Sequence, residues 1–126
     1  MPVHWTVSHS ARLVIAVAKD EVKVEDIEQY FTGVTAEGAM AYRKIFEIGA
    51  TPMALTEDGL KSLGQRVVLY AQHGQVGPVA LVAGSDESFA QAQVFAAAAT
   101  AGRPLRIFRE MHAARRWLDE QDGAAR

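Results

Sequence analysis

The chain contains no cysteine, which excludes a disulfide framework, a thiolate metal site and a cysteine nucleophile together. Long apolar runs are also missing. The most extended, such as FAAAATAG after Val94, fall short of the ~20 residues that a membrane-crossing helix needs. The opening MPVHWTVSHS lacks the basic start and apolar run of a signal peptide, so a cytoplasmic protein with no transmembrane segment is expected. Neither sign of charge dominates: Lys+Arg number 13 and Asp+Glu 15, a net charge of −2. No global basic field therefore recruits nucleic acid or an anionic membrane.

Catalytic and metal-binding signatures are equally scarce. His4, His9, His73 and His112 form no i, i+4 pair, so no metal site is expected. His73 and His112 read as a surface link and a helix start rather than catalytic bases. The sequence has no G-x-S-x-G elbow, no G-x-x-x-x-G-K-[ST] loop and no G-x-G-x-x-G. Ser85 follows Gly84 but reads as a helix cap. The expectation is a non-enzymatic protein without a cofactor.

What is present is an ordinary globular composition, 49% apolar and 22% charged. A chain of 126 residues suits one domain, and at this size roughly two-thirds of the unfolded surface becomes buried. Residues 4–7 and 13–18 are short β-prone runs across a polar link and predict an antiparallel hairpin. Val24, Ile27, Tyr30, Phe31 and Val34 then recur at helical spacing behind Glu25, Asp26 and Glu28, with Gly33 or Gly38 closing the helix. KIFEI, from Lys44 to Ile48, reads as a central strand covered on both faces, broken by Thr51 and Pro52. Thr56 is the expected cap of a second helix with Glu57 and Asp58 in its first turn and Leu60, Leu63, Val67 and Tyr70 or Ala71 inward. PVALV supplies a further strand, and Ser85 caps an alanine-rich third helix. PLRIFRE forms a last strand, and MHAARRWLDEQ a last helix with Met111, Ala114, Trp117 and Leu118 inward. The order is β-β-α-β-α-β-α-β-α, an α/β domain with about five strands in a mixed, mostly parallel sheet and about four helices.

Three stretches carry a resemblance. VKVEDIEQYF, PVALVAGSDESFAQAQVFA and the closing RIFREMHAARRWL, in that order and spacing, resemble the SpoIIAA-like group of the STAS/Sec14-type domains over residues 5–118. The resemblance implies a single STAS-like sandwich, in a bacterial regulatory or stress context. STAS domains often carry an Asp-Ser-Ser-Gly-Leu type sequence at the start of the second helix, its serine phosphorylated by a partner kinase. The corresponding stretch here is Thr56-Glu57-Asp58-Gly59-Leu60. Its glycine and leucine match and the serines do not, so a carboxylate of Glu57 or Asp58 stands where the phosphoacceptor belongs. Thr56 is the nearby hydroxyl, and capping already explains it.

The strand-to-helix loop at residues 52–59 is accordingly the expected site, formed by Met53, Leu55, Thr56, Glu57, Asp58 and Gly59. Leu55 fits a hydrophobic staple onto Leu60, which leaves Met53 to the plain core or to a pocket or partner surface. The first functional expectation is a protein-interaction module that binds a protein partner, or itself as a homodimer, through this loop and the following helix. Its mark would be an exposed apolar patch at Met53 and Leu55. The second is a carrier or sensor of a small apolar or lipid-like ligand, in the manner of Sec14-type domains. That requires a cavity of a few hundred Å³ lined by residues such as Phe31, Phe46, Met53, Phe89 and Phe95, although a domain this small needs most of its apolar side chains packed together. Arg103, Arg106, Arg109, Arg115 and Arg116 concentrate charge in the last quarter. They read as a solvated edge strand and outer helix face, with a phosphate- or lipid-headgroup patch as the alternative.

Overall fold

A computed structural model of the chain describes residues 2–100 and 102–124. The strands are β1 (Val3–Ser8), β2 (Leu13–Ala18), β3 (Arg43–Ile48), β4 (Val79–Ala83) and β5 (Leu105–Phe108), and the helices α1 (Val24–Ala36), α2 (Glu57–His73), α3 (Asp86–Ala98) and α4 (Met111–Ala124). They follow the expected order. The sheet runs β1-β2-β3-β4-β5, with β1 antiparallel to β2 and all later neighbours parallel. β3 is central, as the KIFEI run predicts, and the hairpin supplies the mixed edge.

Side-chain parity divides the sheet into two faces. Val14, Ala16, Phe46, Ile48, Val79 and Leu81 join the buried face of α1 and α2 in the larger core, which also takes in Ala92 of α3. Ile45, Ala80 and Val82 face the other way, onto Ala114 and Leu118 of α4. One face thus carries three helices and the other carries one. Because alternate strand residues point to opposite faces, Lys44 shares the three-helix face with Phe46 and Ile48.

Caps fix where the helices begin. Thr56 Oγ1 accepts the Gly59 N–H at 3.0 Å and Ser85 Oγ accepts the Ser88 N–H at 3.1 Å, as both were expected to; such caps contribute about 1 kcal/mol each. α1 begins differently, the Asp26 carboxylate accepting the Lys23 N–H at 2.8 Å. Gly64 lets α2 lie close against α3, since a Cβ there would stand 2.6 Å from that of Ala98. Among the described residues no helix is long and apolar enough to cross a membrane.

Candidate functional site

The three-helix face encloses a chamber. A cavity of about 80 Å³ lies between the sheet and α1, α2 and α3, walled by Phe31, Phe46, Leu60, Leu63, Leu81 and Ala92 among others. It is far smaller than the few hundred Å³ expected of a carrier, for the packing reason that already argued against a large one: most apolar side chains of a short chain are needed to fill its core. Phe31, Phe46, Met53 and Phe95 line it as expected. Phe89 does not. The inward side of α3 is Ser88, Ala92 and Phe95, and Phe89 is turned aside beneath the Arg109 guanidinium, 4.3 Å from its ring centre.

At the carboxyl edge of the sheet, the expected loop forms one end of the chamber. Met53 and Leu55 both line it. The exposed apolar patch expected at Met53 is not there, because Met53 is only 9% exposed and its backbone is held from both sides. Gln91 accepts the Met53 N–H at 2.9 Å and donates to the Met53 carbonyl at 2.7 Å. The Ala54 N–H reaches the Val22 carbonyl at 2.8 Å, and Ser88 Oγ donates to the Gly49 carbonyl at 2.8 Å. Thr56, Glu57 and Asp58 are exposed and Gly59 is half-buried in the first turn of α2. Glu57 pairs with Lys61 at 3.3 Å. The structure therefore separates the predicted set: the two apolar members face inward and the acidic pair faces solvent.

The other end was missed by sequence reasoning. Lys44, second in β3, is only 6% exposed, and its neighbours across the sheet are Val14 and Val79. Its ammonium donates to the carbonyls of Met40 and Tyr42, the latter at 2.8 Å. Those carbonyls belong to the turn before β3, which packs tightly on the link before β4. A Cβ on Gly77 would lie 2.2 Å from the Tyr42 carbonyl oxygen. Burial, helped by the nearby Arg103 charge, pushes the Lys44 ammonium down to about 7.

Arg103 completes this end. It precedes β5 and lines the chamber with Lys44 instead of joining the solvated arginines. Its Nε and Nη1 are buried without a hydrogen-bond partner. Burial lowers its ionisation to about 10, with Tyr30 working in the opposite sense. Tyr30, on α1, is held neutral by burial, its phenol pushed well above the usual range despite the Arg103 charge. No carboxylate lines the chamber among the described residues. A parity count places Lys44 on the face of Phe46 and Ile48, and that signal was available. Arg103 lies outside any periodic element, after Gly102 at φ +66°, and nothing in its spacing points inward.

Arg106, Arg109, Arg115 and Arg116 behave as a solvated surface does. Arg106 is exposed over the Phe108 ring, and Arg109 pairs with Asp86 at 2.8 Å. All four histidines are exposed, with His9 Nδ1 hydrogen-bonded to the Tyr42 hydroxyl at 2.8 Å. Comparison of the chain with protein-family models, with curated proteins and with solved structures gives no match.

Proposed function

We propose that this protein holds a small, largely apolar ligand inside the chamber, as a carrier or sensor, in keeping with the Sec14-type side of its resemblance. The observation that carries this reading is the apolar cavity running from Met53 to Lys44, in a domain small enough to have filled it. Ligand pockets are typically apolar with a few placed polar groups, and this one has its polar groups at one end. The cavity is small, so the ligand is small, or its entry moves a helix. Met40, Leu55, Phe95 and Arg103 are the partly exposed members of the wall from which such movement would start.

Binding of a protein partner, or of a second copy of the chain, is the second reading. One observation favours it: Leu69 on α2 is 58% exposed, the large apolar side chain left outside among the described residues. A single exposed leucine is common on monomers, so this reading ranks below the first.

Native mass spectrometry of the full chain, before and after denaturation, tests the first reading together with thermal unfolding in 1-hexanol. A small adduct lost on denaturation and a raised midpoint with 1-hexanol are expected. Ala92→Leu, which places extra atoms in the chamber, should abolish that rise. A clean apo mass and an unmoved midpoint would remove the ligand-holding reading.

A further inference from the structure

The polar end of the chamber is unusual in its signs. Two basic side chains, Lys44 and Arg103, line an otherwise apolar wall that offers them no carboxylate. Buried charges are ordinarily paired. Lys44 is held by the carbonyls of Met40 and Tyr42, which accept two of its three protons but do not balance its charge. Arg103 lacks even that, for two of its buried nitrogens have no partner. A hydrogen bond left unmade at a buried donor destabilises the fold, more so when the donor is charged. Tyr30 adds a neutral phenol to the same wall. A solvated ion or a neutral ligand leaves this arrangement unexplained. A single negative charge brought in on an apolar carrier answers both halves of it.

We propose that the chamber takes an amphipathic oxyanion: one short apolar chain ending in a carboxylate or phosphate, the head group against Arg103 and Lys44 and the chain running towards Met53. This rests on the ligand-holding reading above and specifies its ligand class. The apolar wall of Phe31, Phe46, Leu60 and Leu81 supplies the binding of the chain, and charge-assisted hydrogen bonds from Arg103 select the head. Arrival of the anion also favours the charged form of Lys44, whose ionisation burial and Arg103 otherwise depress.

Calorimetric titration of the full chain at pH 6.5 with hexanoate, hexyl phosphate, 1-hexanol, acetate and inorganic phosphate provides the test. Hexanoate or hexyl phosphate should bind about tenfold or more tighter than 1-hexanol, a difference of about 1.4 kcal/mol. The tighter of the two identifies the head group. Acetate and inorganic phosphate should bind far more weakly than their hexyl counterparts. Arg103→Met should erase most of the preference for the charged probe and Arg103→Lys should restore part of it. Equal binding of 1-hexanol and both charged probes overturns the proposal while leaving the ligand-holding reading intact. So does a preference that survives Arg103→Met, and so does free acetate or phosphate binding as tightly as the hexyl forms. Failure of all three hexyl probes overturns both readings together.

Discussion

At the carboxyl edge of the sheet, the polar groups around the chamber are paired with one another: Gln91 holds Met53, Ser88 holds the Gly49 carbonyl, and Thr56 caps α2. At the amino edge, Lys44 leans on two backbone carbonyls and Arg103 keeps two buried donors unpaired. Ligands of parallel α/β sheets usually lie beyond the carboxyl ends of the strands, and that rule directs attention to residues 52–59. Here the carboxyl edge is internally satisfied and has little left to offer a ligand beyond the apolar surface of Met53 and Leu55. The unspent bonding capacity lies at the opposite edge. The place where a fold usually binds and the place where a particular chain has unsatisfied chemistry need not coincide.

The comparison can be broken most forcefully at the backbone contact that closes the amino edge. Gly77→Ala puts a methyl group against the carbonyls of Ala41 and Tyr42, which cannot yield as a flexible side chain does. A loss of about 3 kcal/mol in denaturant unfolding is expected, and a loss below ~0.5 kcal/mol would show that this edge is slack. At the carboxyl edge, Gln91→Leu strips both side-chain bonds from the Met53 backbone. It should cost about 2 kcal/mol, and amide exchange at Met53 should accelerate with it.

A pH series sharpens the same contrast. Unfolded, Lys44 keeps its proton up to its ordinary value of 10.5, whereas folded it releases it near 7. Between those limits the unfolded chain binds the additional proton, so raising the pH favours the folded state. The ligand-free protein should therefore gain stability from pH 7 to pH 9, at about 1 kcal/mol per pH unit. The full penalty for burying the ammonium is felt below pH 7. The charged and titratable groups facing Lys44 across the chamber are Arg103 and Tyr30, and neither changes state in that range. Lys44→Met should flatten the profile, and an equally steep profile in that variant would place the titrating group elsewhere.

Much of the fold was legible because its signals are local. The caps at Thr56 and Ser85 act on backbone N–H groups three residues away, and the inward stripe of α1 follows from the 3.6-residue period. The same holds for the central place of β3, whose continuous apolar character needs cover on both faces. The candidate site was legible by halves. Leu55 and Met53 in the 52–59 loop read as apolar side chains needing cover, but the loop does not say whether that cover is a partner or the protein's own interior. The Gln91 clamp decides it, and Gln91 lies 38 residues further on.

The sequence by itself determined the order of elements, their starts and their buried stripes, since each depends on residues within a turn or two of one another. Only the tertiary structure decided that a cavity remains and which end of it is charged. Those outcomes require the start of β3, the link before β5 and the middle of α1 to meet, bringing Lys44, Arg103 and Tyr30 together. No local period couples three segments so far apart in the chain; the packing of three helices on one face of the sheet brings them together.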